Sequence, residues 1–294
     1  IQRHAKAVAL LHDVHVIHVV KLNERLRRTG LKSESAGESG LSEEVIYYAS
    51  FSGWLGKIHS QLTMAWQYYL AVGRYVKHKG RPDILHYHTA MHLGLTAFAV
   101  RMAYRMPYLL SEHWSGFYSN AEETVSDLNL FRQLSLRRMI AGATSMQVVS
   151  FSLQQALRNR YSKDQIVIIP NVVNVDDFYI GSKKYSLFTF IHISEFTLQK
   201  GARHLLLAVK LLVERGYQFN LQLIGVRESE LTTELDKYNN VFVVGEIPHL
   251  RVAEMMRKAH SMVHPSFYET FGCVLIEAFA SGIPVVAYDL PVFK

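Results

Sequence analysis

His264-Pro265-Ser266-Phe267-Tyr268-Glu269-Thr270-Phe271-Gly272-Cys273-Val274-Leu275-Ile276-Glu277-Ala278 is the stretch on which the reading of the fold turns. Met262-Val263-His264 reads as a short strand, the residues from Pro265 as a loop holding Glu269, and those from about Phe271 to Ala280 as a helix. Strand, loop and helix in that order make one step of a parallel α/β layer. A helix opening at Gly272 and Cys273 aims its first backbone N–H groups outward, which suits an anion. Gly272 has no side chain, so a phosphate can approach its backbone closely. Glu269 can accept hydrogen bonds from sugar hydroxyls, and Glu277, on the helix, can reach a ribose diol. The plainer readings are a helix N-terminal acid favoured by the macrodipole for Glu269 and an exposed helix charge for Glu277.

Working outward, the same alternation runs through the whole chain. Upstream of the decisive stretch lie strands at 188–193, 219–224 and 241–244 and helices at 202–214, 229–238 and 251–258; a strand at 285–288 follows it. Further upstream are strands at 13–20, 84–87, 108–110, 146–149 and 166–169 and helices at 54–77 and 93–104. Residues 30–42 are rich in Gly, Ser and Glu and read as a loop. Pro170-Asn171 closes the first set of strands, and the polar run 174–184 reads as a linker. The fold class is therefore α/β, two doubly wound parallel-sheet domains facing a cleft, at 1–176 and 185–294. In such sheets ligands lie outside the carboxyl ends of the strands.

Composition narrows the function classes. In 294 residues, 49% are hydrophobic and 19% charged, which excludes a disordered or collagenous chain. No run of about 18 apolar residues spans a membrane, and the single cysteine, Cys273, excludes an internal disulfide framework or a Cys-rich zinc site. The opening Ile1-Gln2-Arg3 reads as helix, and a strand lies close to the last residue, so both ends read as cut inside a fold. The net charge of +7 is uneven: residues 1–180 hold 20 Lys and Arg against 14 Asp and Glu, and residues 181–294 hold 12 against 11. The basic first half points to an anionic partner or simply to solubility. No zinc-finger or RNA-binding signature supports nucleic acid.

Glu269 and Glu277 with the seven residues between them, preceded by Pro265-Ser266 and followed by Ser281-Gly282-Ile283-Pro284, closely resemble the signature of retaining nucleotide-sugar glycosyltransferases of the GT-B fold, specifically glycosyltransferase family 4 (group 1). The resemblance extends to Gln199-Lys200-Gly201, Ile169-Pro170-Asn171 and Ser111-Glu112-His113. It implies two Rossmann-like domains, the first lacking its opening strand and glycine-rich loop and the second its C-terminal helices. It implies that Lys200 neutralises the donor diphosphate, that the Gly272 and Cys273 amides hold its oxygens, and that Thr270 and Phe271 belong to the same donor loop. Glu269 would bind the transferred sugar and Glu277 the ribose. Gly245 and Ile247 would lie against the nucleobase, and His113 on the acceptor side. The implied catalytic set is Glu269, His113 and Lys200, transfer retains anomeric configuration, and the acceptor is a glycan or a lipid-linked glycan. No Asp-x-Asp triplet occurs, in keeping with a site that needs no metal or other cofactor. Relatives carry Gly-Arg where this chain has Ser194-Glu195, and a carboxylate there stands to repel the donor or to pair with Lys200. Val172 and Asn174 replace the usual Gly and Asp. The implied location is cytoplasmic, with peripheral contact to an anionic membrane through the basic first domain.

Other signals are weaker. His12, His15 and His18 have a tempting spacing, but residues three apart on a strand face opposite ways, which disfavours a shared metal. His86 and His88 share a face and read as polar lining or satisfied core histidines. Trp54, Trp66 and Tyr68-Tyr69 read as helix packing, with a bilayer-facing alternative for exposed members. Cys273 reads as a packing residue. Two rivals to transfer remain: a sugar-nucleotide epimerase of the same fold, and a non-catalytic protein docking on anionic lipid or glycan.

Overall fold

The computed structural model describes residues 2–22, 31–34, 40–49, 53–91, 93–163, 165–181, 185–226 and 237–294. The chain forms two compact units: Ile1–His113 with Leu128–Gln147 and Tyr161–Val167, and Trp114–Asp127 with Val148–Arg160 and Ile168–Lys294.

The first unit opens with α1 (Gln2–Ala9), then β1 (Val14–Leu22), β2 (Leu31–Glu34) and β3 (Leu41–Ala49) in the sheet order β1-β3-β2. β1 runs parallel to β3, whereas β2 is antiparallel to it, Leu31 lying opposite Ile46. The loop expected over 30–42 thus contains a strand and the start of another. Lys32-Ser33-Glu34 has little intrinsic strand preference, so this edge strand owes its form to the ladder with β3. The long helix α2 (Gly53–Lys79) buries Ala71 against Val19, Ile46 and Tyr48. A separate four-stranded sheet follows in the order β4 (Leu85–His88), β5 (Tyr108–Glu112), β6 (Ser145–Val148), β7 (Ile166–Ile168), with α3 (Gly94–Tyr104) and α4 (Leu130–Gly142) as connections. Val72 of α2, Val100 of α3 and Met106 form a core against which Ile17 of β1 and Leu85 of β4 pack. α4 has no counterpart in the sequence reading, because its buried Leu136, Met139 and Ile140 share the helix with exposed Leu130, Phe131 and Leu134. Nor does α5 (Phe151–Arg160), which belongs to the second unit.

The second unit holds a five-stranded parallel sheet in the order β10-β9-β8-β11-β12: β8 (Thr189–Ile193), β9 (Asn220–Ile224), β10 (Val241–Gly245), β11 (Ser261–His264) and β12 (Val285–Ala287). Helices α6 (Ala202–Glu214), α7 (His249–Lys258) and α8 (Cys273–Ala280) connect them. The expected helix at 229–238 falls almost wholly outside the described residues. Counting from β8, the order is third, second, first, fourth, fifth, so the winding reverses between β8 and β11. That reversal is where an open parallel sheet leaves a crevice for a ligand. Two cores cover the sheet: one joins Ile191, Ile224, Met262, Met256 and Ala278, the other Leu205, Val209, Leu221 and Leu223. The run expected as a linker is anchored instead. Phe178 is fully buried in the first of these cores, and Arg257 Nη1 donates to Asp177 O at 2.6 Å.

Candidate active site

The site is built from the two loops that leave β8 and β11, one on each side of the switch point. Thr197 fixes the turn after β8, its hydroxyl accepting from Lys200 N at 3.3 Å and its carbonyl from Ala202 N at 3.3 Å. Gly201 then opens α6 with φ +72°, and a Cβ there would stand 1.9 Å from Pro265 O. Only glycine allows so close an approach in that conformation. Phe267 N donates to Gln199 O at 2.9 Å, so the β8 and β11 loops are stitched backbone to backbone.

The stitch delivers Lys200 to Glu269. Lys200 Nζ donates to Glu269 Oε1 at 2.6 Å, and His264 Nε2 donates to the same oxygen at 2.9 Å. Burial alone would raise the Glu269 carboxyl; the hydrogen bond from His264 and the Lys200 charge outweigh it and hold the group at about 2. Glu269 is therefore a fixed anion at neutral pH. Because its carboxylate can only accept, His264 carries its proton on Nε2. His264 is buried, and its Nδ1 has no hydrogen-bond partner.

Behind this pair lies a second buried imidazole. His192 donates from Nδ1 to Val263 O at 2.9 Å, and its Nε2 meets Ser194 Oγ at 2.7 Å. Burial is the main reason that its protonation is pushed down to about 4, with the neighbouring His264 and Lys200 adding to it. Ser194 thus caps a neutral core histidine. Glu195 is exposed, and Lys200 takes Glu269 as its partner. Tyr268 ties in the segment after β5: its hydroxyl accepts from Glu122 N at 2.9 Å. Tyr118, in the same segment, keeps its phenol proton above the ordinary range through burial, with the Glu269 charge contributing.

Thr270 and Phe271 are half-buried in the loop before α8. Gly272 is the N-cap of α8 at φ +83°, and a Cβ there would meet Phe293 at 2.8 Å. The first turn then starts at Cys273, a thiol in no disulfide. Glu277 is not the exposed helix charge of the plainer reading. It is 6% exposed, and His249 Nε2 lies 3.0 Å from its Oε1. His249, the first residue of α7, also packs edge-on against Phe178 at 5.0 Å. Ile247 packs against the core, and Gly245 ends β10 at φ +73°. His264, His192 and His249 escaped the sequence reading, since an isolated histidine at a strand or helix end carries no periodicity.

His113 belongs to the first unit, directly after β5. Its N–H donates to Glu112 Oε1 at 2.8 Å, and Ala90 N donates to Glu112 Oε2 at 2.9 Å, so a fully buried carboxylate joins the ends of β4 and β5. Its ring stacks on His88, with centroids 5.8 Å apart. Burial chiefly holds His113 down to about 4 and His88 to about 3, so both are neutral near pH 7. His15 meets Ser42 Oγ at 2.7 Å, whereas His18 is exposed. Among the described residues no cluster of His, Cys, Asp or Glu is arranged to hold a metal, and no helix is long and apolar enough to cross a membrane.

These features agree with the comparisons to known proteins. Residues 2–177 match the family model described as Glycosyltransferase Family 4, and residues 180–294 match Glycosyl transferases group 1. An uncharacterized glycosyltransferase of Methanocaldococcus jannaschii is 26% identical over 215 residues, covering 70% of this chain and 55% of the relative. The O-antigen chain mannosyltransferase RfbU of Salmonella typhimurium is 26% identical over 168 residues, 54% of this chain and 46% of the relative. The chain spans about half the length of the curated relatives it matches. Sucrose-phosphate synthase from Thermosynechococcus elongatus superposes with a TM-score of 0.76 at 20% identity, covering 98% of this chain and 74% of that one. The fold is thus GT-B, α/β with two Rossmann-like domains. With one family model matching residues 2–177 and its companion residues 180–294, the chain belongs to glycosyltransferase family 4.

Proposed function

We propose that this protein transfers a sugar from a nucleotide-sugar donor to a glycan or lipid-linked acceptor with retention of anomeric configuration. The observation that carries this reading is the pairing of Lys200 with Glu269 across the switch point of the second sheet. The donor diphosphate takes Lys200 as counter-cation, together with first-turn amides of α8. Glu269, kept ionised and oriented by His264, accepts from hydroxyls of the transferred sugar. Glu277, aimed by His249, takes the ribose diol, and Ile247 faces the base. As the bond from the anomeric carbon to the diphosphate oxygen breaks, the acceptor hydroxyl attacks from the same face and its proton passes to the leaving oxygen. The protein contributes position and positive potential where charge grows. His113, held neutral by burial, is assigned to the acceptor side. Lys200 and the helix amides are the positive groups in this scheme, so transfer is expected to persist in a chelator.

The test begins with a thermal-shift panel of UDP-, GDP- and ADP-sugars on the full-length protein, followed by transfer assays on Lys200→Ala and Glu269→Gln. Each substitution is expected to lower turnover by about a hundredfold or more, the scale for losing one preorganised charge-stabilising group. The product anomer, read by NMR, should match the donor. Turnover that is unchanged in both variants overturns the assignment. Isomerised sugar formed from donor alone replaces it with the epimerase reading.

A further inference from the structure

Thr89, between β4 and α3, has φ +66°, a left-handed conformation that a β-branched residue adopts only at a cost of about 1–3 kcal/mol. Glycine or asparagine would relieve it, so the turn is imposed by its surroundings. Two bonds to the end of β5 impose it. Thr89 N donates to Ser111 O at 2.8 Å, and Ala90 N donates to the buried Glu112 carboxylate at 2.9 Å. The other oxygen of that carboxylate accepts from the His113 amide. One buried anion therefore fixes both the turn that follows His88 and the backbone of His113.

What the strained turn sets is the place of His88. Its ring is the hub of an imidazole cluster, with centroids 4.3 Å from His86, 5.8 Å from His113 and 6.2 Å from His4. His86 Nε2 is taken by Ser111 Oγ at 2.5 Å. The His88 and His113 rings lie within 11° of parallel. His88 Nδ1 and His113 Nε2 are both buried, and neither has a hydrogen-bond partner among the described residues. A buried polar atom left unpaired costs about 1–3 kcal/mol. Packing accounts neither for the strain at Thr89 nor for two orphaned nitrogens on neighbouring rings, whereas a ligand that pairs them accounts for both.

The chemistry of the pair narrows what that ligand is. Among the described residues no His, Cys, Asp or Glu cluster is arranged to hold a metal. Both imidazoles are neutral near pH 7, so an anion gains no charge from them. A neutral imidazole offers one N–H and one bare nitrogen. Two such rings can give one hydrogen bond to a hydroxyl and take one from it. We infer that His88 is a second acceptor-binding residue beside His113, its Nδ1 and His113 Nε2 together holding one hydroxyl of the acceptor sugar, one nitrogen donating and the other accepting. The inference rests on the transfer reading, in which His113 stands on the acceptor side. It adds a selection rule: an acceptor without that hydroxyl leaves both nitrogens unpaired and is rejected.

Nitrogen NMR of the full-length protein with isotope-labelled histidine tests the pair without any ligand. One of the two orphaned nitrogens should carry a proton and the other none; two protonated or two bare nitrogens overturn the inference. Transfer to a panel of methyl glycosides and their monodeoxy analogues, with the donor that the thermal-shift panel selects, tests it by function. His88→Phe keeps a flat ring without a nitrogen and should raise acceptor KM about tenfold or more with donor KM unchanged. His88→Asn, whose amide falls near the place of Nδ1, should recover most of that loss, and His88→Gln should not. One deoxy glycoside should lose about the same factor with the wild type and nothing further with His88→Phe. Unchanged acceptor KM in His88→Phe, or an equal rise for the donor, overturns the inference. Failure of the transfer reading shows elsewhere, as turnover untouched by Lys200→Ala and Glu269→Gln, and the protonation of the two nitrogens then decides the pairing by itself.

Discussion

Glu269→Gln removes a charge while keeping shape, and its effect on stability can be worked out from the site. The Glu269 side chain is 11% exposed, so solvent screens its interactions little. Its carboxyl is displaced from 4.5 to about 2, which corresponds to about 3 kcal/mol. The folded value lies below the unfolded one. The stabilisation is therefore fully present above about 4.5 and is lost as pH falls toward 2; about 2 kcal/mol of it is gone by about pH 3. In the glutamine variant Lys200 and His264 donate to a neutral amide, so about 3 kcal/mol should be missing near pH 7. The gap between wild type and variant should close on acidification. Trp114 belongs to the second unit, so urea unfolding followed by fluorescence in a Trp54→Phe/Trp66→Phe background reports on the right part of the chain. His192, His113 and His88, which burial holds down to about 4, about 4 and about 3, act in both proteins, so the difference between the two curves isolates Glu269. Parallel loss of stability in wild type and variant between about pH 5 and about pH 3 would refute the reasoning.

Four further outcomes follow from other contacts. Gly201→Ala forces a Cβ onto Pro265 O and should cost about 3 kcal/mol or more while abolishing the thermal shift given by donor, both measured by calorimetry. Phe178→Ala empties a fully buried site and should cost about 3–5 kcal/mol in denaturant unfolding. His192 is held neutral when folded, at about 4 against an ordinary 6.5, so the unfolded chain takes up the proton first; stability should fall by about 3 kcal/mol as pH drops from 6.5 toward 4, and His192→Gln should remove that share. His249→Ala leaves the buried Glu277 without its imidazole partner and should raise KM for the nucleotide-sugar about tenfold with kcat little changed, in initial-rate assays.

Much of the second unit is legible in the sequence because its strands are short apolar runs and its helices amphipathic. Ala202–Glu214 forms a helix with the bounds that its leucine spacing gives. Lys200-Gly201 and the loop from Pro265 also announce themselves, since glycine at a strand-to-helix turn has a backbone meaning. What the sequence conceals is what depends on a partner distant in the chain. Leu31–Glu34 becomes a strand only beside β3, and Phe178 becomes core only once Val252 and Met256 surround it. α4 hides because both its faces carry large apolar side chains, so no single stripe marks the buried one. Glu195 illustrates a subtler limit: its charge suggests a partner for Lys200, but only the fold shows that Glu269, sixty-nine residues from Lys200, takes that place.

The electrostatic balance of the resting site explains why a diphosphate, and not a neutral sugar, should govern donor recognition. Lys200 and Glu269 cancel at 2.6 Å, and the helix openings at Gly201 and Gly272 add positive potential. Each helix N-terminus is equivalent to roughly half a positive charge, so the two together supply about one. Both openings are at glycines in left-handed conformation, and at each a side chain would collide with neighbouring atoms, Pro265 O in one case and Phe293 in the other. The backbone is thus held with its donors in place before any ligand arrives. A diphosphate entering here gains those dipoles at once and can draw on Lys200 as a second step, while Glu269 remains anchored by His264 and ready for sugar hydroxyls. In the proposed scheme a free sugar meets the Glu269 carboxylate, and a nucleoside meets Glu277 and Ile247, neither gaining those dipoles. On the proposed reading, affinity should therefore follow the phosphate first and the sugar second, an order that competition by nucleoside diphosphate against free sugar tests directly.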